Sequence, residues 1–143
     1  MLALHSYWAY LLVFIWIAAV ANAFSGFRNQ KEYQSKDLLL GLSTLIFAHI
    51  QLFIGLSWYF MSPVFKAMQA VGVAEIVANP GSRFLALEHP LTMLVAVTLL
   101  TIGWSRHKKT DNSKAKFKTI AIFYGIALFL VLLRIPWKQW LFN

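Results

Sequence analysis

The 143 residues are 59% apolar and 16% aromatic but only 13% charged, whereas soluble domains run near 25% charged. That balance excludes a disordered chain and argues against a water-soluble globule. The lack of cysteine excludes disulfides, thiolate metal sites and covalent haem attachment. Thirteen Lys and Arg against five acidic residues give a net charge of +8. These basic residues lie between long uncharged stretches, the pattern of a membrane protein rather than a nucleic-acid binder.

In chain order, no charged residue falls between Met1 and Phe27 or between Leu38 and Phe65. A third run covers Leu91 to Ser105, or starts at Phe84 if Glu88 is admitted. A fourth covers Thr119 to Leu133, or reaches Trp137 if Arg134 is admitted. About 20 apolar residues cross the hydrocarbon core as a helix, which predicts spans over 2–25, 38–61, 84–105 and 118–138. The tryptophans fall mostly near span ends, as interfacial anchors do. Ala21-Asn22-Ala23 has the look of a signal-peptide cleavage site. No basic segment precedes the apolar run, and Arg28, Lys31 and Lys36 follow it, so the first helix is expected to stay uncleaved.

Between spans two and three, Ser62-Pro63 ends a helix. Val64 to Ala78 reads as a short helix lying in the membrane interface. Asn79-Pro80-Gly81 signals a turn, and Ser82 is the expected cap of the third span. The loops after spans one and three are short and strongly basic. The fold expected is all-α, a transmembrane four-helix up-down bundle forming a single domain over 1–143. Loops one and three hold nine of the basic residues against four on the other side. They should therefore face the cytoplasm of a bacterial inner membrane, with both termini outside. No loop interleaves aromatics with its basic residues, so the expected partner is the lipid bilayer, with no nucleic acid.

Ionisable residues inside a bilayer are costly and mark functional candidates. Here they are His5, His49, Glu88, His89 and Arg134. His107, within Arg106-His107-Lys108-Lys109, reads as part of a solvated loop. At 1.5 Å per residue, His5 lies roughly 5 Å and His89 roughly 8 Å below the outer ends of their helices, nearly equal depths. His49 lies near the midplane, roughly 10 Å deeper. Spans one and three are diagonal in an up-down bundle, so His5 and His89 can face one central site and hold a haem iron from both sides. Small residues below each histidine (Ala9 below His5, Ala96 below His89) leave room for a flat macrocycle. Gly41, Ala48 and Gly55 form a close-packing stripe on span two, with His49 beside it. His49 is expected as a neighbour of the cofactor or a substitute ligand. Arg83 and Arg134 are candidates for haem propionates, with an Arg134–Glu88 pair or snorkelling as the alternative.

The runs His5-Ser6-Tyr7-Trp8, His49-Ile50-Gln51-Leu52-Phe53-Ile54-Gly55-Leu56, Leu87-Glu88-His89, Thr101-Ile102-Gly103-Trp104-Ser105 and Arg134-Ile135-Pro136-Trp137 carry a likeness over nearly the whole chain. The chain resembles a group of small bacterial four-span membrane proteins described as cytochrome b-like. That resemblance implies non-covalent haem b and electron transfer, with quinone or a respiratory complex as partner and a homodimer as one arrangement. Some members carry histidine where this chain has Trp104, which speaks against a second haem. Two readings compete: a copper or zinc site built from His5, His49 and His89 without haem, and a non-redox accessory subunit. No nucleophile with an adjacent base appears, so an electron carrier or subunit is expected rather than a stand-alone catalyst.

Overall fold

The computed structural model describes residues 1–141, so the last two positions of the expected domain lie outside the described residues. Four helices are long and apolar enough to cross a membrane: α1 (Leu2–Arg28), α2 (Ser35–Met61), α5 (Pro80–His107) and α6 (Ser113–Arg134). Between α2 and α5 come α3 (Pro63–Val71) and α4 (Val73–Ala78), and α7 (Trp137–Leu141) follows α6. No strand occurs among the described residues. The chain is a multi-pass integral membrane protein built as a helical bundle.

Its surface explains the composition. Large apolar side chains point outward, with Phe14 at 73% and Phe53 at 74% exposure, an arrangement suited to lipid rather than water. The interior is lined by small residues, among them Ala19, Ala23, Ala48, Ala96 and Ala127. Lipid tails are as apolar as leucine, so helix association relies on close approach, which small residues permit. A side chain at Gly26 would meet the Phe117 ring, and one at Gly103 would meet Phe123. The long helices pack in ring order, α1 on α2, α2 on α5, α5 on α6 and α6 on α1. That leaves α1 and α5 on a diagonal, as short loops require.

Local sequence sets the ends. Asp37 Oδ2 accepts from the Gln34 N–H, and the Gln34 side chain accepts in return, a capping box that starts α2. Asn22 Nδ2 donates to the other oxygen of Asp37 at 2.8 Å, tying α1 to α2. Ser62 closes α2 and caps α3, with Pro63 at its first position. The single interfacial helix expected over Val64 to Ala78 is two helices, because Gly72 adopts φ +89°, a conformation open to glycine. The cap of α5 is Asn79, whose Oδ1 accepts from Gly81 and Ser82 N–H, not Ser82. Asparagine wins because Pro80 immediately after it suits the first helical position. The fourth span stops at Arg134 rather than running on to 138. Pro136 forces Ile135 into extended backbone (φ −69°, ψ 132°).

Candidate functional site

A cavity of about 870 Å³ opens at the end of the bundle that carries the first turn of α1, α3 and α7. It runs from Tyr59, Ser62 and Pro63 down to Trp16, Val97 and Val131, and its lining is mostly apolar. That size sits in the upper part of the range of small-molecule sites, roughly 300–1,000 Å³. His5 and His89 face each other across it. Their ring centres are 6.2 Å apart and their planes cross at 86°. The equal-depth, diagonal-helix placement thus brings these two side chains together.

The two rings are held differently. His89 Nδ1 lies 2.7 Å from the Arg134 carbonyl oxygen. A carbonyl only accepts, so Nδ1 carries the proton and Nε2 keeps its lone pair. That carbonyl is free because the Pro136 break ends α6 there. On the other side of its ring, the peptide of His89 closes a π-helical turn over Phe84–Glu88, with its N–H bonded to Phe84 O. Pro90 accounts for the wide turn: it has no N–H to offer Ala86, and its ring would strike that carbonyl.

His5 faces an amide. Gln51 Nε2 donates to His5 Nδ1 at 3.0 Å and to the His5 carbonyl oxygen at 3.0 Å. Nδ1 therefore accepts, and the proton of neutral His5 sits on Nε2. Gln51 Oε1 is buried with no partner. Gly55 makes the fit possible, since a Cβ there would lie 3.0 Å from His5 Cε1. Read in the sequence as a packing stripe, Gly55 is a seat for the histidine ring.

The remaining candidates lie elsewhere. His49 is on the exposed face of α2, outside the cavity. It donates from Nδ1 to Leu45 O at 2.8 Å, and its Nε2 is 3.4 Å from Thr101 Oγ1. Among the described residues no three His, Cys, Asp or Glu side chains gather as a metal site would need, so the three-histidine copper or zinc arrangement is not formed. Arg83 and Arg134 do not line the cavity. Both reach Glu88, with Arg83 Nε at 2.9 Å and Arg134 Nε at 3.8 Å. One carboxylate between two guanidiniums leaves a net positive charge beside His89.

At the opposite, basic end, His107 is not the solvated residue expected. It is fully buried, with Nδ1 donating to Trp104 O at 2.6 Å and its ring against Trp104 and Tyr33. Loop one folds over it, anchored by the Tyr33 N–H to Ser113 Oγ bond at 3.0 Å. Burial, and then the charge of Asp37, push the Tyr33 hydroxyl up to about 12. Trp16 Nε1 donates to Tyr124 O, and Tyr124 Oη donates to Gly41 O, cross-linking α1, α6 and α2 below the cavity.

Sequence reasoning missed Gln51 and the Arg134 carbonyl. The first had a signal, a neutral amide inside an apolar run two residues from His49. The second had only the Ile135-Pro136 break. Comparison of the chain with protein-family models, curated proteins and solved structures finds no match in any of the three.

Proposed function

We propose that this membrane protein binds one haem b between His5 and His89 and passes electrons across or along the membrane, with quinone or a larger respiratory assembly as partner. The observation that carries the reading is the facing pair. Two imidazoles ligating one iron from opposite sides, with bonds of about 2 Å, put their ring centres roughly 6 Å apart. The pair here stands at 6.2 Å. The residues around it fit the group. His89 presents an Nε2 lone pair, its Nδ1–H donated to a main-chain carbonyl as a metal-bound histidine needs. His5 fits once the Gln51 amide turns its unpartnered oxygen toward Nδ1. The apolar walls suit a flat macrocycle, the Gly55 seat lets the His5 ring lie close against α2, and Arg83, Glu88 and Arg134, outside the cavity lining, leave a net positive charge beside His89. When bound, the group would supply one-electron redox chemistry. The protein's part is to ligate, to exclude water and to set the basicity of the two imidazoles.

The test is the optical spectrum of detergent-purified protein titrated with haemin. A Soret shift saturating at one equivalent, with low-spin α and β bands on reduction, is expected. His89→Ala should lose the low-spin spectrum, and His5→Ala should turn it high-spin. A chain that shifts no Soret band, or holds stoichiometric copper instead, overturns the reading. An unchanged spectrum in His89→Ala overturns the ligand assignment.

A further inference from the structure

From the unlike partners of the two histidines we infer that His89 is the fixed ligand and His5 the exchangeable one, with Gln51 as the residue that governs the exchange and a neutral diatomic molecule as the ligand class that takes the vacated position. This rests on the haem reading above. His89 donates to the carbonyl of Arg134, an acceptor with no alternative role because Pro136 has ended the helix. Its Nε2 is a lone pair whether or not anything is bound, so nothing need be rearranged for it to ligate. His5 is in the opposite state. One Gln51 N–H donates to its Nδ1 at 3.0 Å while a second bond, to the His5 carbonyl oxygen at 3.0 Å, fixes the amide, so Nδ1 accepts and the proton lies on Nε2, the atom that would have to bind the metal.

For His5 to ligate, Nε2 must give up that proton, Nδ1 must take one, and the amide must turn. Detachment would reverse this: the bonding electron pair would stay on Nε2, which would regain a proton while Nδ1 lost one. His5 is neutral before and after, and no net proton or electron is consumed. The half-buried position of His5 at the mouth of the cavity lets solvent carry the proton. The Gln51 bonds thus stabilise the detached form of one ligand only. Detached, His5 presents an Nε2–H donor toward the cavity, suited to a small molecule bound opposite His89.

The probe is carbon monoxide added to the dithionite-reduced, haem-loaded protein, followed by its Soret shift. The wild-type protein should bind it at one equivalent. Gln51→Leu and Gln51→Glu both remove the amide donor from Nδ1, and the carboxylate would accept from an Nδ1–H. Each variant should bind carbon monoxide about five- to tenfold more weakly, the ratio that one net hydrogen bond supplies. Nitrogen NMR of the selectively labelled, haem-free protein reads the same device without the cofactor. His5 should be protonated at Nε2 and His89 at Nδ1, and Gln51→Leu should alter His5 alone. Failure to bind haem brings down the functional reading and this inference with it. A low-spin haem protein whose carbon monoxide affinity is the same within twofold in all three chains overturns the inference alone. So does an Nδ1-protonated His5 in the haem-free protein.

Discussion

Three glycines in the bundle are sorted by what a methyl group at each would touch. Glycine within a helix costs about 1 kcal/mol relative to alanine, so substitution gains that amount where space allows. At Gly125 the new carbon would sit 3.9 Å from Val20 Cγ1, ordinary contact. Gly125→Ala should therefore stabilise by up to about 1 kcal/mol. At Gly103 it would run into Phe123 Cβ and lie 3.0 Å from its Cγ. A Cβ is tied to its backbone, so α5 and α6 must part rather than a side chain turn. Overpacking of this kind costs about 1–3 kcal/mol, or more where backbone must move, which exceeds the propensity gain. Gly103→Ala should destabilise, and because the propensity gain is common to both, the two variants should differ by the overpacking cost, about 1–3 kcal/mol. Gly55→Ala is the intermediate case. Its obstacles, His5 Cε1 at 3.0 Å and Nδ1 at 3.3 Å, belong to the end of a side chain that can yield. Fold stability should change by less than about 1 kcal/mol, while the His5 ring moves and the Gln51 bonds loosen. Equilibrium unfolding in mixed detergent, followed by tryptophan fluorescence, measures all three. A Gly103→Ala protein as stable as Gly125→Ala would refute the packing argument, and a Gly55→Ala protein with unchanged His5 resonances would refute the seat.

Two further expectations concern the basic end. Tyr33 lies in loop one with its hydroxyl raised to about 12 by burial and Asp37, above the ordinary value near 10. Its folded form holds the proton more tightly than its unfolded form, so its stabilisation is complete below about pH 10 and is lost as pH rises toward 12. Absorbance titration against Tyr33→Phe should show this tyrosine ionising above the ordinary tyrosine range, and a normal midpoint for it would refute the buried placement. Reporter fusions after Asn29 and Asn112 should both report cytoplasm, from the nine-to-four distribution of basic residues; an outside signal at either position would overturn the orientation.

The spans were legible because charge is costly in hydrocarbon, so gaps between charged residues mark helices to within a few positions. The meeting of His5 and His89 was legible too, since rise per residue gives depth and short loops give a diagonal. What lay beyond reach was the partner of each ring. A main-chain carbonyl is present at every residue, and only Pro136 singled out that of Arg134. Gln51 carries no charge, so a search for ionisable groups passes over it. Gly55 could be read only as small, because the side chain it accommodates comes from another helix. His107 was misjudged for a related reason: its basic neighbours in sequence are solvated, but Tyr33 and Trp104 enclose it in space.

His49 provides the sharpest contrast between sequence order and position in the bundle. It lies in the same run as Gln51, yet the helix turns about 100° per residue, so two residues are enough to separate their faces. Gln51 reaches His5 inside the cavity, while His49 stands on the exposed face of α2. Its Nδ1 proton is spent on Leu45 O, four residues back in its own helix. Its Nε2 meets Thr101 Oγ1 at 3.4 Å, and that hydroxyl already donates to Val97 O at 2.8 Å. Removing the imidazole therefore strips no buried group of an indispensable partner. It forfeits at most one weak α2–α5 contact, worth about 0.6 kcal/mol for a polar link between membrane helices, against an alanine that favours the helix. His49→Ala should be within about 1 kcal/mol of the parent in unfolding. It should also leave haemin titration, the low-spin bands and the His5 and His89 resonances unaltered. A His49→Ala protein that lost the low-spin spectrum while His5→Ala kept it would mean that α2 presents its other face to the cavity, and that the ligand belongs on α2 rather than α1.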